Sequence, residues 1–296
     1  MSLAGFWREF QPNNQQITVG LYRGKINNVH YLFPQGGVSG AFTTFSDLAP
    51  QLRSRDVIIL GGVLREQAVA PLGVFDVILM GAADIPRQAT SSGVPTGGGA
   101  TWLAPTSPTA LSPLLTLREQ GWIVTNIMFG AVASTPAIRL KRQENATYPD
   151  ASHALIDNCY FATQGLTAEV GIGSESLFHS VIQNCLFQGL TGTAILGESV
   201  SIAQPQLNKI LNCYFRECVN AIDWPQDYGV IDGNRFKDIT TKKIDVNVGA
   251  DNYVGINFFD QAAASITIAN GYIGNASDVW RNYATDGASQ TVGVPA

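Results

Sequence analysis

Apolar and polar positions along this chain alternate in short bursts that return as a recognisable phrase. Ile156-Asp157-Asn158-Cys159-Tyr160-Phe161, Ile182-Gln183-Asn184-Cys185-Leu186-Phe187 and Ile210-Leu211-Asn212-Cys213-Tyr214-Phe215 share an Ile-x-Asn-Cys-x-Phe pattern. Looser copies flank them: Val124-Thr125-Asn126-Ile127-Met128-Phe129 upstream, Ile231-Asp232-Gly233-Asn234-Arg235-Phe236 and Val254-Gly255-Ile256-Asn257-Phe258-Phe259 downstream. The phenylalanines are spaced by 32, 26, 28, 21 and 23 residues. A hydrophobic phrase at that period predicts a solenoid, in which each repeat buries its apolar side only against its neighbours. Within a copy, the Ile and the Phe point inward from two short strands. The Asn or Gly marks a sharp bend, because these residues tolerate a left-handed backbone. Stacking predicts a ladder through Asn158, Asn184 and Asn212, with the phenyl rings piled inside.

The unit is not a leucine-rich repeat, since the Leu-x-x-Leu-x-Leu phrase is missing, and no helix-period stripe supports helical repeats. Variable coil length with constant strand phrases predicts an all-β fold, a parallel β-helix with loops swelling at its corners. The segment Asp56-Val57-Ile58-Ile59-Leu60-Gly61-Gly62-Val63-Leu64-Arg65-Glu66 resembles the opening coil of the right-handed parallel β-helix superfamily of pectate and pectin lyases, pectinesterases and phage tailspikes. That coil carries a Gly-x-Tyr-x-Glu-like phrase, with Leu64 here in place of the tyrosine. Val77-Ile78-Leu79-Met80-Gly81 fits the coil that follows, and the resemblance spans roughly residues 45–260. It implies the right-handed fold. It does not imply a chemistry, because the phrase is a packing solution shared by enzymes and structural proteins.

Around the repeat, the sequence divides into an N-terminal arm over residues 1–43, the β-helix over 44–260 and a C-terminal cap and tail over 261–296. The arm holds an aromatic cluster, Phe6, Trp7 and Phe10, expected to dock on its own β-helix or on a partner subunit. It also holds possible strands at Ile17–Tyr22 and Val29–Phe33. Residues 44–54 read as an amphipathic capping helix, with Phe45, Leu48 and Leu52 on one side and Ser46 or Asp47 as N-cap. Residues 84–112 form a Pro/Gly-rich loop that Trp102 is expected to anchor. Trp280 and Tyr283, the last large aromatics, are a second expected interface.

Only 14% of residues are charged and the net charge is −5, which argues against non-specific nucleic-acid binding. No apolar run is long enough to span a membrane, and the first residues lack signal-peptide form. The expected first residence is therefore a cytosol, which the resemblance to phage β-helix proteins implies is that of a host bacterium. Cys159, Cys185 and Cys213 share one slot and are expected to stack as buried thiols. Cys218 stands apart, and no Cys-x-x-Cys or His pattern signals zinc. No metal and no cofactor is expected.

For chemistry the sequence offers an acidic stretch: Glu217, Asp223, Asp227, Asp232 and Asp238. Asp223 and Asp227 flank Trp224, a carboxylate pair beside an aromatic that suits a sugar site. If the protein is an enzyme, Asp223, Asp227 and Asp232 are the candidate catalytic residues of a polysaccharide hydrolase or lyase. Asp157 and Asp232 share an outward slot but lie three rises apart, roughly 14 Å, beyond a glycosidase carboxyl pair at about 5–9.5 Å. Lys242, Lys243 and Arg235 lie near the acidic stretch but match no motif. His30, His153 and His179 lack a nucleophile partner. As sugar platforms the candidates are Trp102, Trp224 and Tyr228.

Three function classes follow. The resemblance to phage β-helix proteins implies a virion structural protein: a homotrimeric subunit decorating a capsid or forming a spike, in contact with other virion proteins and a host-surface glycan. The second is a glycan-cleaving tailspike-like depolymerase or lyase. The third is a noncatalytic glycan-binding module.

Overall fold

A computed structural model describes residues 26–36, 38–82, 99–141, 151–175, 178–198, 206–225, 228–246 and 252–260, plus the backbone of short strands at 268–269, 279–280 and 283–284. Every strand pairing between named strands is parallel, and the strands form three sheets that run the length of the molecule. The first sheet has ten strands, the second nine and the third eight, and each coil adds one strand to each sheet in turn. This is a right-handed parallel β-helix, about 45 Å long at one rung per 4.8 Å.

The repeated phrase builds the first two sheets and the corner between them. Ile156, Ile182, Ile210, Ile231 and Val254 are register partners in the first sheet, and all are buried. The backbone then turns through a left-handed residue: Asn126, Asn158, Asn184 and Asn212 have φ between 48° and 57°. Gly233 (φ 68°) and Ile256 (φ 51°) take the same place in the last two copies. The expected amide ladder is only partly continuous. Asn158 donates to Asn126, but Asn184 turns its amide to the Asp157 carboxylate at 2.8 Å.

Past the corner, the second sheet carries the ring stack. Phe129, Phe161, Phe187, Phe215, Phe236 and Phe259 lie with successive centroids 4.8–5.4 Å apart and planes within 12° of parallel. Trp102 and Phe45 continue the column upward, with centroids 6.0 and 5.8 Å apart. Trp102 is therefore a core residue in the phenylalanine slot, on a strand within the span read as loop; register pairs it with Leu64 on one side and Phe129 on the other.

Phe45 begins a single helical turn, Phe45–Leu48, followed by a 3-10 turn, Ala49–Gln51. The cap residue is Thr44, not Ser46 or Asp47. Asp47 N–H donates to Thr44 Oγ1, and that hydroxyl donates back to the Asp47 carboxylate. Glu66, the last residue of the opening-coil phrase, accepts from the backbone N–H groups of Phe45 and Ser46 at 2.7 and 3.0 Å. A carboxylate at a helix N-terminus satisfies two donors that have no partner within the helix.

Two further differences concern the ends. Val29–Leu32, in the N-terminal arm, is the first strand of the first sheet, paired in register with Val57–Leu60. Past residue 260 the repeat does not stop. Val279–Trp280 pairs with Val254–Gly255, and Tyr283–Ala284 pairs with Phe258–Phe259, so the backbone makes one more coil. Phe6, Trp7 and Phe10, and the side chains of Trp280 and Tyr283, lie outside the described residues.

Candidate functional site

The acidic stretch resolves into two separate places. Asp223 ends a strand of the third sheet, Asn220–Asp223, and its register partner is Asp245 of Lys242–Asp245 on the next coil. Asp232 ends Val230–Asp232 of the first sheet, so it joins neither of them. Asp227 lies outside the described residues. The expected Asp223–Asp227–Asp232 constellation is thus replaced, among the described residues, by Asp223 with Asp245. Lys242 binds both, with Nζ 2.6 Å from Asp245 Oδ2 and 3.6 Å from Asp223 Oδ2.

Rung spacing of about 4.8 Å is close to the carboxyl separation of about 5–5.5 Å in retaining glycosidases. Exposure and charge argue differently. The Asp245 side chain is fully buried, while Asp223 is 26% and Lys242 39% exposed. The hydrogen bond to Asp245 raises the Lys242 pKa, against a smaller pull from burial, which keeps the amine protonated and unfit as a base. Burial raises the Asp223 carboxyl; Lys242 opposes this and Asp245 reinforces it. The cluster offers solvent one carboxyl of elevated pKa beside a fixed ammonium, with the second carboxylate held inside as its counter-ion.

Trp224 follows Asp223 and turns inward. Its backbone N–H donates to Asp245 O at 2.8 Å, and its ring is fully buried against Gly197. A Cβ on Gly197 would lie 2.7 Å from Trp224 Cδ1. A sugar cannot stack on a ring without exposed surface, so the platform role fails for Trp224 and for Trp102, which is equally buried and donates from Nε1 to Glu66 O at 2.7 Å. Tyr228 is 50% exposed in a left-handed corner (φ 53°), the one of the three candidates that presents its ring.

The first sheet carries the other carboxylates. Asp157, Gln183, Leu211 and Asp232 occupy one column, which places the two aspartates three rungs apart as the repeat predicted. Asp157 Oδ1 accepts from Gln183 Nε2 (3.1 Å) and Asn184 Nδ2 (2.8 Å), yet burial outweighs these bonds and raises its pKa. Burial also raises the Asp232 carboxyl, against a hydrogen bond from the Gly233 backbone.

At the corner, Ile127, Cys159, Cys185 and Cys213 share one buried slot, and Asn234 and Asn257 continue it. All four cysteines are free and buried. Burial pushes the Cys159 and Cys213 thiols well above their ordinary range and Cys218 to about 12. Burial acts on Cys185 as well; hydrogen bonds from Cys159 and Cys213 oppose it, so any thiolate in this column would sit on the central sulfur. Among the described residues, no group of three or more His, Cys, Asp or Glu is arranged for a metal, and no helix is long and apolar enough to cross a membrane.

Sequence reasoning missed Asp245 and the role of Lys242. The available signal was the dipeptide Ile222-Asp223 returning as Ile244-Asp245 one coil later. The adjacency of His153 and His179 was likewise missed. They stand on neighbouring coils with rings stacked 5.1 Å apart.

The fold is a right-handed parallel β-helix, and solved structures share it. Among solved structures, the chain is similar to a pectate lyase from Bacillus sp. N165 in complex with trigalacturonate, with TM-score 0.54 and 13% identity over 90% of this chain and 86% of that one. An alginate lyase from Paenibacillus sp. FPU-7 gives 0.52 and 10% over 87% and 95%. The pectin methylesterase of Aspergillus niger gives 0.51 and 12% over 93% and 92%. At these identities the similarity shows the fold alone. No protein-family model matches the sequence, and no curated protein matches it.

Proposed function

We propose that this protein is a structural β-helix subunit of a bacteriophage virion, assembled as a homotrimer. In this reading it decorates the capsid or forms a spike, contacts other virion proteins and meets a host-surface glycan. It is made in the bacterial cytoplasm and resides in the virion. The observation that carries the reading is how the chemistry-bearing residues are used. Asp245 and Asp223 hold Lys242, Asp157 holds Gln183 and Asn184, Glu66 caps the helix turn, and Trp102, Trp224 and the cysteines fill the core. Side chains that an enzyme would aim at substrate here join one coil to the next. The test is localisation: antibody raised to the chain should decorate purified particles, and particles without label would refute the role.

A second reading has its own observation. Asp223 and Asp245 stand on adjacent rungs, and Asp223 is partly exposed with a raised pKa. This favours a glycan-cleaving protein like the two lyases among the neighbours, with Asp223 as acid. Depolymerisation of a host polysaccharide that disappears in Asp223→Asn would establish it; equal turnover by that variant would remove it.

A further inference from the structure

The first sheet has an apolar outer side as well as an inner one. In Val57–Leu60 and Ile78–Gly81, Ile58, Leu60 and Leu79 face the core, so the residues between them point outward. Val57, Ile59, Ile78, Met80, Ile123 and Leu155 form a cluster on that outer side, separate from the core, and each is only 0–5% exposed. They belong to two columns over four successive rungs. The same columns open above the patch, where Val29 is 37% and Tyr31 40% exposed. They open again below it, where the Leu155 column reaches the exposed Lys209. Neighbours within one sheet shield each other's flanks and leave the outward tips in water. These tips are not in water, so a further segment lies across the four rungs.

We propose that the cover is the chain's own N-terminal arm, with Ile17, Val19 and Leu21 laid along the patch. This goes beyond the virion role and does not rest on it. The burial exists within a single chain, which points to a segment of that chain and not to a second copy. Ile26, where the described structure begins, packs against the cluster. The next two residues pin the end of the arm beside it. Asn27 donates from its backbone to Arg55 O and from Nδ2 to Ser54 O, and Asn28 accepts the Val57 N–H at 2.9 Å. The arm therefore enters the fold at the edge of the patch, and Gly24 supplies a residue at which it can turn back.

Length and composition favour this segment over the other candidates. In Ile17-Thr18-Val19-Gly20-Leu21-Tyr22, alternate residues are apolar, so an extended chain presents Ile17, Val19 and Leu21 on one side. Ile17 to Leu21 spans roughly 13 Å, against roughly 14 Å for the three rises of the patch. Residues 142–150, Arg-Gln-Glu-Asn-Ala-Thr-Tyr-Pro-Asp, are polar, and residues 83–98 are mostly small, with Ile85 and Val94 as their large apolar side chains. The patch asks for an apolar cover: the outward Thr125, next to Met80 in its column, is fully buried and its hydroxyl has no hydrogen-bond partner among the described residues. A polar strap would have offered it one.

Met80, 1% exposed at the centre of the patch, is the reporter. The experiment follows its oxidation by dilute hydrogen peroxide with peptide mass spectrometry, in the full chain and in a variant lacking residues 1–25. Ellman's reagent, silent toward the four buried thiols while the core is intact, identifies the folded samples. The expected result is slow oxidation of Met80 in the full chain and a rate higher by roughly tenfold or more without the arm, the thiols still silent. Should the shortened chain fail to fold, the full chain carrying Val19→Asp and Leu21→Asp is expected to show the same gain. Equal protection of Met80 in a folded chain without the arm, or in that double variant, overturns the proposal. A native mass that falls when the arm is removed from a folded chain also overturns it, because the arm would then cover a neighbouring copy.

Discussion

Phe187→Ala removes a ring from the middle of the column that spans the β-helix. The ring lies 4.8 Å from Phe161 and 5.0 Å from Phe215, with planes 7° and 6° from parallel, and the residue is fully buried. Truncating a buried phenylalanine costs about 3–5 kcal/mol, the spread reflecting how far the site collapses. Two stacked pairs are lost at once, each worth about 0.5–1.5 kcal/mol beyond area. Collapse is opposed here because the strands on either side are fixed in register by their own ladders. The expected loss therefore lies at the upper end, about 4–5 kcal/mol, more than a thousandfold in the folding equilibrium. Guanidinium denaturation followed by far-UV circular dichroism measures it, with Phe187→Leu expected to recover part of the loss. A cost below about 1 kcal/mol, the range of an ordinary surface substitution, would refute a rigid stacked interior.

Other consequences follow from single sites. Ile256 is β-branched in a left-handed corner that the other copies give to Asn or Gly, so Ile256→Gly should stabilise by about 1 kcal/mol in thermal melts; destabilisation would mean its partly exposed side chain packs more than it strains. Asp157→Asn should open a stability gap over the parent as pH rises. The folded carboxyl titrates above its unfolded value, so the parent loses stability from the unfolded pKa up to the folded one, and the gap is then constant; a gap that shrinks with pH would contradict the burial argument. Lys242→Met leaves the buried Asp245 charge uncompensated, for which the cost is about 3–5 kcal/mol in a dry site. The solvent exposure of Lys242 reduces this to about 1–3 kcal/mol, measured by denaturation. The four buried thiols should be silent to Ellman's reagent in the native state and all react after unfolding; rapid native reaction would contradict the closed core.

The fold was legible because a solenoid writes the same instruction many times. Ile, left-handed Asn and inward Phe each recur in register, and a signal repeated on successive coils survives local variation. What stayed hidden depends on alignment between coils. Trp102 follows a Pro/Gly-rich insertion, which disguised it as a loop residue although it fills the phenylalanine slot. Asp223 and Asp227 are close in sequence, but a strand ending in Asp223 gives its neighbour as the residue one coil away, Asp245. Asn234 and Asn257 shifted by one position from the corner into the core, where Asn234 donates to Ile210 O and Asn257 to Ile231 O. The final coil at Val279–Ala284 was missed because its phrase, Val-Trp-Arg-Asn-Tyr-Ala, ends in alanine where the others carry phenylalanine.

A β-helix that works as a subunit of a larger shell or spike must associate with copies of itself, and native mass reads this out. Sedimentation equilibrium of the purified protein over a range of concentrations should return three times the 31.7 kDa chain mass. A single 31.7 kDa species at every concentration would contradict it.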